Sequence, residues 1–434
     1  MLYFVSFFLS FCRGRGVLIR WNLVRQTKSI LTQPHIEENR HFIYNEYIMK
    51  TKWTFEKNII IFALIFRAVA YLISVIILAT SGNYENQITF FDFLDAWTRW
   101  DSQHYIDIAA YGYSGAVENG EHLFLVFYPL FPWLLRAMHV LFGDYRLCGI
   151  LLDIICFCVG CVYFYKLTER EYGGQAARNA LILLAVFPFS FFFGAVLTES
   201  LFFALSAMFL YYLREHKWMA VAFLGFLACL TKTQGCMLAF AVVAELLVSE
   251  KGLLLLRERK WKEFGKRVLY PGLICSLMVL GFVVYLGINL YVEGDPFRFL
   301  YYQKNHWYNG FCPIWETLSY LVRYSFGSGN MATRFSMWIP ELVLFVVWLA
   351  WIAYGIRRRL SAAYMVYLIA LFLLTYSSTW LLSGGRYALC ALPGFMLMGE
   401  WLTRHERWKT PLLAVSSMLF AVYLTGYLLG RQIM

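Results

Sequence analysis

The chain has 434 residues, of which 60% are hydrophobic and 15% are charged, and its mean hydropathy is +0.56. Soluble domains carry about 25% charged residues, so this composition excludes an ordinary soluble protein and indicates a multi-span membrane protein. The formal net charge is +11. It does not indicate a nucleic-acid partner, because Lys and Arg gather in short segments between apolar runs, as cytoplasmic loops of membrane proteins do.

The first 48 residues differ in character from the rest of the chain. A short apolar run, Met1–Cys12, is followed by a basic and then a polar stretch. By contrast, Met49–Trp53 gives a basic flank and an interfacial Trp before the apolar run Ile59–Leu78. We therefore expect Met49 to be the initiator and residues 1–48 to be a non-native or disordered extension.

The apolar runs predict an all-α protein with two transmembrane halves. The first half is predicted at 49–250 with an external loop at 80–122, and the second at 251–434 with an external loop at 292–335. The predicted spans lie near 57–79, 123–142, 147–166, 178–193, 199–213, 218–230, 235–248, 270–291, 336–356, 361–382, 385–402 and 411–430.

Charge places these loops on two sides of the membrane. The loop 80–122 holds seven acidic residues and one basic residue, Arg99, which predicts a non-cytoplasmic face. Segment 249–269 is strongly basic, which predicts a cytoplasmic face. The two assignments conflict if every run between 123 and 248 crosses fully. One of these runs is therefore re-entrant, interfacial or fused with a neighbour.

The acidic loop also carries the residues best suited to chemistry. A helix over Trp100–Ala109 at the membrane surface would align four side chains on one face by their spacing: Trp97, Asp101, His104 and Ile108. A carboxylate between partly apolar walls can accept a proton from a sugar hydroxyl, and Asp101 is our candidate for that role. The alternative is a solvated loop carboxylate. Asp92 and Asp95, one turn apart, are competitors for the same role.

Three further charged residues are candidates for the site: Lys232 and Arg386 for binding the anionic part of a substrate, and Glu199 for another role. Lys232 lies between two apolar runs, where a charge is costly and indicates function, although snorkelling to the interface is the alternative. Arg386 follows Ser383-Gly384-Gly385, which permits close backbone approach, but it fits an ordinary loop arginine as well. Glu199 could orient an acceptor or pair with a cation, and helix capping near Thr198 is the alternative.

Metal sites are not predicted. Asp92, Asp95 and Asp101 have oxygen ligands suited to a divalent ion, but their spacing is not that of a known metal motif. Cys156, Cys158 and Cys161 lie together in an apolar run, where packing is a better explanation than a thiolate cage. We therefore expect no cofactor.

Several stretches of the sequence resemble the GPI mannosyltransferase 2 (PIG-V) family of the GT-C superfamily, whose members use polyprenyl-phosphate sugars. The resemblance covers most of the chain from about residue 57. Its strongest part is Arg99–Ala109, with Gly112-Tyr113 and Phe127–Pro132 after it. Further likeness is found at Phe187–Phe193, Leu197–Phe202, Gly294–Phe299, Gln303, Trp307 and Gly385–Tyr387.

This resemblance implies a GT-C type helical bundle whose acidic first external loop carries short interfacial helices. It implies an inverting mannosyltransferase with a polyprenyl-phosphate-mannose donor, a glycan or glycolipid acceptor, and Asp101 as general base. The residues that it suggests for substrate binding are Arg99, His104, Tyr113, Glu199, Lys232, Gln303 and Arg386. Family members tend to have Arg near Lys232, so this chain departs from the pattern there and would bind phosphate as a point charge.

Other functions stay open at this point. The same fold could transfer another sugar from a polyprenyl-phosphate donor, or the protein could transport a lipid-linked glycan. Transport is less favoured because we find no internal repeat, on which many transporters are built. The compact loops favour a bacterial cell membrane, and the endoplasmic reticulum membrane would apply in a eukaryote. A small membrane partner subunit is left open.

Overall fold

The computed structural model describes residues 40–82, 88–327 and 330–433, with side chains from Glu56 onward. Most of the predicted extension 1–48 lies outside these residues. The helices are α1 (Arg40–Thr80), α2 (Phe90–Ala96), α3 (Asp101–Gly115), α4 (Leu130–Phe142), α5 (Tyr145–Tyr172), α6 (Gly174–Ala185), α7 (Glu199–Arg214), α8 (Trp218–Cys229), α9 (Gln234–Ser249), α10 (Gly252–Arg257), α11 (Trp261–Glu293), α12 (Arg298–Asn305), α13 (Ile314–Phe326), α14 (Met331–Arg357), α15 (Ala362–Tyr376), α16 (Gly384–Ala388), α17 (Leu392–Arg404) and α18 (Lys409–Leu428).

The predicted all-α multi-span fold is confirmed. Within the described ranges no strand forms, and β-pairing is limited to two isolated bridges. Five helices are long and apolar enough to cross a membrane, and they are Glu56–Thr80 of α1, α5, α11, α14 and the helical stretch Glu406–Leu428 that contains α18. Helices α4, α8, α9 and α15 are apolar but shorter.

Helices α5 to α9 form a bundle, and ion pairs at the helix termini define its two ends. At the start of α5, Arg146 bonds Asp95 of α2 at 2.5 Å, so this end carries the acidic loop. At the other terminus of α5, Arg170 pairs with Glu215, just beyond α7. We call these the loop end and the basic end, because the basic segment 249–269 follows α9 at the second one.

Helix α4 has both of its termini at the loop end. The Leu130 N–H donates to the Leu230 carbonyl at 3.0 Å, beside the turn that joins α8 to α9. Asp144, two residues after α4, accepts hydrogen bonds from Arg146, the residue that pairs with Asp95. The run 123–142 therefore returns to the end at which it begins. Helices α5 to α9 then run alternately between the two ends, so that these five helices connect the loop end to the basic end.

Two local predictions need correction. The helix predicted at Trp100–Ala109 forms, but it begins at Asp101 and extends to Gly115, with a kink at Gly112. Trp97 is not on it, because α2 ends at Ala96 and Trp97 is its C-cap. The Trp97 indole is fully buried and its Nε1 donates to Ser74 Oγ at 3.1 Å, so the prediction that Trp97 shares a face with Asp101 is wrong.

The predicted span 178–193 is also shorter than expected. Helix α6 ends at Ala185, and the Pro-Phe-rich stretch after it forms a turn and one 3-10 segment, Ser190–Gly194. Helix α7 then begins at Glu199. Because the chain reverses here inside the bundle, the first residue of α7 is placed in the interior at the loop end.

Candidate active site

Four charged residues from four separate parts of the chain meet at the loop end. The Arg386 guanidinium donates two hydrogen bonds. Its Nη1 donates to Asp101 Oδ2 at 2.8 Å, and its Nε donates to Glu199 Oε1 at 3.1 Å. Lys232 Nζ donates to the same Glu199 oxygen at 3.0 Å. We call Asp101, Glu199, Lys232 and Arg386 the charge cluster.

Each member of the charge cluster lies at a helix start, in a short connection or in a very short helix, and none lies inside a long helix. Asp101 is the first residue of α3, and Glu199 is the first residue of α7. Lys232 lies in the short connection between α8 and α9, and Arg386 lies in the five-residue helix α16. Helix termini and short connections bring side chains from distant segments to one place. Helical spacing within one segment does not predict such a meeting.

Burial divides the charge cluster into an inner and an outer part. The Glu199 side chain is fully buried, and those of Lys232 and Arg386 are about a tenth exposed, at 10% and 11%. Asp101 is the outermost member, with 28% of its side chain exposed. Because it is accessible while its partners are enclosed, Asp101 is the member that an entering substrate would meet first.

The two cations in the charge cluster are held in their charged forms. Burial by itself lowers the pKa of Lys232, but Glu199 outweighs it, and the net direction is upward. The same balance holds for Arg386. Burial lowers its pKa, Glu199 and Asp101 raise it, and the net effect is an increase in the pKa. The Lys232 ammonium is therefore paired inside the protein rather than snorkelling to the interface. Thr198 makes no capping hydrogen bond, so capping does not explain Glu199.

The other four predicted substrate-binding residues lie outside the charge cluster. His104 is one turn after Asp101 on α3, and its ring lies 4.5 Å from Phe124 and 5.3 Å from Phe127, centroid to centroid. The ring centroid of Trp307, in segment 292–335, lies 6.5 Å from that of His104. His104 therefore belongs to an aromatic wall beside Asp101, not to the set of ion pairs.

Arg99, Tyr113 and Gln303 make contacts that hold the surrounding backbone. The Arg99 guanidinium donates to the Leu428 carbonyl at 3.1 Å, at the end of α18. The buried Tyr113 hydroxyl donates to the Phe127 carbonyl at 2.7 Å. Gln303 is half-buried on α12, in the segment that leads to Trp307. The structure brings these residues near the loop end without bringing them onto the charge cluster.

The competing carboxylates are engaged elsewhere. Asp92 forms a capping box with Thr89 at the start of α2, and these hydrogen bonds lower the pKa of Asp92. Asp95 pairs with Arg146. In the described part of the chain, no group of three or more His, Cys, Asp or Glu side chains is arranged to hold a metal ion. Metal independence stays a prediction.

One buried carboxyl beside the charge cluster was missed by the sequence analysis. Glu341, on α14, is fully buried, and its side chain accepts a hydrogen bond from the Gly384 N–H. The available signal was an acidic residue inside the apolar run 336–356. The prediction of run 336–356 as a membrane span makes no use of this acidic residue.

Residues 128–285 match the model of a family described as dolichyl-phosphate-mannose-protein mannosyltransferase. A similar solved structure is ArnT from Cupriavidus metallidurans bound to undecaprenyl phosphate, with a TM-score of 0.51 and 16% identity over 85% of this chain and 77% of that one. The chain has the GT-C fold. A comparison with curated proteins finds no match.

A second solved structure is less similar to this chain. It is the oligosaccharyltransferase from Archaeoglobus fulgidus in complex with Zn and sulfate, with a TM-score of 0.44 and 12% identity over 83% of this chain and 53% of that one. The family match and the fold together support the GT-C superfamily of membrane glycosyltransferases. The matched segment contains Glu199 and Lys232, whereas Asp101 and Arg386 lie outside it.

Proposed function

We propose that the protein is a membrane mannosyltransferase. It takes mannose from a polyprenyl-phosphate donor of the dolichyl-phosphate type and transfers it to a glycan or glycolipid acceptor at the outer or luminal face. The observation that carries this proposal is the charge cluster, in which a partly exposed carboxylate lies against two enclosed cations. The description of the matched family and the undecaprenyl phosphate in the similar ArnT structure support this donor class.

In this proposal Asp101 is the general base. Its carboxylate accepts the proton of the acceptor hydroxyl as that oxygen attacks the anomeric carbon of mannose. The bond from the anomeric carbon to the phosphate oxygen breaks, and the polyprenyl phosphate leaves with the electron pair. Attack on the face opposite to the leaving group gives inversion. A positioned base of this kind contributes about 10²–10⁴-fold to a reaction rate.

Arg386 and Lys232 would stabilise the leaving phosphate. Two cations and two carboxylates cancel in the charge cluster, so we expect a bound phosphate to draw a cation away from its present partner. Arg386 is placed to do so, because its guanidinium already faces Asp101 at the accessible edge. Phosphate binding to Arg386 would free Asp101 for the acceptor, while Glu199 keeps both cations in place. Charge-assisted bonds to phosphate are the strong class of hydrogen bond.

The aromatic wall would receive the acceptor sugar. His104 lies beside Asp101, and Trp307 reaches it from the second external loop. Tyr113 and Arg99 would act indirectly by fixing the backbone at Phe127 and Leu428. Gln303 would contribute through the same second loop. We place the protein in a bacterial cell membrane, with a role in GPI-type glycan synthesis as the corresponding proposal for a eukaryotic source.

Mannose transfer in membranes that contain the intact protein tests this proposal. With a synthetic polyprenyl-phosphate mannose, Asp101→Asn should lower the transfer rate by about 10²–10⁴-fold. Asp107→Asn is the matched control, because Asp107 lies on the same helix and accepts a hydrogen bond from Gln103 away from the charge cluster. Equal rates for Asp101→Asn and the intact protein would remove Asp101 from its role. Competition with donors carrying other sugars would show whether mannose is the preferred one.

A further inference from the structure

Glu341 is a fully buried carboxyl that touches the segment carrying Arg386. Its Oε1 accepts the N–H of Gly384 at 2.7 Å. Its Oε2 has no hydrogen-bond partner among the described residues. Its backbone carbonyl accepts a hydrogen bond from the hydroxyl of Tyr376 at 3.1 Å, which joins α14 to the end of α15. A buried polar group is costly to retain, so this carboxyl requires an explanation.

The approach of Glu341 to the backbone depends on glycine. A Cβ atom on Gly384 would lie 1.9 Å from Glu341 Oε2, much closer than non-bonded atoms approach. A Cβ atom on the next residue, Gly385, would lie 2.6 Å from the ring of Phe189. The first two residues of α16 are therefore held between a carboxyl from α14 and an aromatic ring from the stretch that leads to α7. Arg386 follows directly.

We infer that Glu341 is a positioning residue, which sets the place of Arg386 in the charge cluster through its contact with Gly384. The route is short, because Glu341 holds Gly384, and two residues later Arg386 bonds both Asp101 and Glu199. Glu341 touches neither carboxylate of the charge cluster. The expected effect of Glu341 on donor binding rests on the proposed function, in which Arg386 binds the donor phosphate.

Binding of undecaprenyl phosphate to the purified full-length protein is the first test. Losing one hydrogen bond that orders a cationic side chain costs about 1.4 kcal/mol, or about ten-fold in affinity. Glu341→Ala should therefore bind about ten-fold more weakly. Glu341→Gln should bind nearly as the intact protein does, because the amide oxygen can still accept the Gly384 N–H. Glu316→Ala is the matched control, since Glu316 lies in the first turn of α13 and is exposed.

A double-mutant cycle with Gly384 tests the contact itself. Gly384→Ala should weaken binding and lower the thermal unfolding midpoint, because its Cβ collides with the carboxyl. In the pair Glu341→Ala and Gly384→Ala the collision is gone, so the double variant should be no worse than Gly384→Ala alone. Such non-additivity is expected only for residues in contact. Strictly additive effects would overturn the inference, as would undiminished binding by Glu341→Ala.

The inference and the proposed function can fail separately. If the intact protein binds no undecaprenyl phosphate, the proposed donor class is contradicted. The positioning role is then decided by unfolding midpoints for Glu341→Ala, Arg386→Gln and the double variant. Non-additive shifts would support a link between Glu341 and Arg386, and additive shifts would refute it.

Discussion

Glu199 has a role that can be tested without any substrate. It is the fully buried carboxylate that bonds Lys232 at 3.0 Å and Arg386 at 3.1 Å. The change Glu199→Gln keeps the shape and one acceptor oxygen but removes the negative charge. Lys232 then has no counter-charge in the charge cluster, whereas Arg386 keeps Asp101.

The expected cost follows from this geometry. Removing one partner of a buried ion pair costs about 3–5 kcal/mol, because the remaining charge is left uncompensated. We therefore expect Glu199→Gln to lower the free energy of unfolding by about 3–5 kcal/mol. Adding Lys232→Met removes the isolated charge and fills its volume with an apolar side chain. The double variant should be more stable than Glu199→Gln alone.

Equilibrium unfolding of the purified protein in detergent micelles would measure both effects. The matched control is Glu215→Gln, since Glu215 follows the other terminus of α7 and pairs with Arg170 in an exposed position. That pair should contribute only about 0–1 kcal/mol. If Glu199→Gln costs no more than Glu215→Gln, or if Lys232→Met destabilises the Glu199→Gln variant further, the account of the charge cluster is wrong.

Other changes give further expected outcomes. Arg386→Lys should lower kcat/KM for the donor by about 10–100-fold in the transfer assay, because lysine cannot bridge two carboxylates as a guanidinium does, and an unchanged value would contradict this. Gly399→Ala should destabilise the protein by about 1–3 kcal/mol, since its Cβ would lie 2.4 Å from the Ala176 carbonyl. Gly287→Ala, with open space around it, should be neutral or stabilising, and equal melting shifts for these two would refute the packing argument. Because the pKa of Lys232 is raised above 10.5, its ion pair is complete below that pH and is lost only as the pH rises through the higher folded value. Lys232→Met should therefore lower the melting midpoint equally at neutral and mildly alkaline pH, and a smaller effect at the alkaline pH would contradict the sign of this shift.

The helical fold could be predicted from the sequence because bilayer-spanning segments need long apolar runs. The orientation inferred from the charge difference between loop 80–122 and segment 249–269 stays a prediction. The return of α4 to the loop end could not be predicted, because α4 is as apolar as a spanning helix. Its placement depends on tertiary contacts at both termini, such as the bond from Leu130 to Leu230. Hydropathy along the sequence carries no information about such contacts.

The members of the charge cluster were predicted singly, but their pairing was not. Asp101 and Lys232 are charges in aromatic or apolar surroundings, Arg386 follows two glycines, and Glu199 is a charge after a Pro-Phe-rich stretch. Nothing in their spacing indicates that Arg386 bridges residues 187 and 285 positions away in the chain. Helical periodicity predicts that His104 lies one turn after Asp101, and α3 contains both residues. Periodicity does not show that the neighbours of His104 are the aromatic rings of Phe124, Phe127 and Trp307.

The most direct test of the central claim is an experimental structure of the protein with a polyprenyl phosphate bound. The account predicts phosphate oxygens about 3 Å from Lys232 Nζ and from the Arg386 guanidinium, with the bond between Arg386 and Asp101 broken. A phosphate bound away from both cations, with Arg386 still on Asp101, would contradict the account.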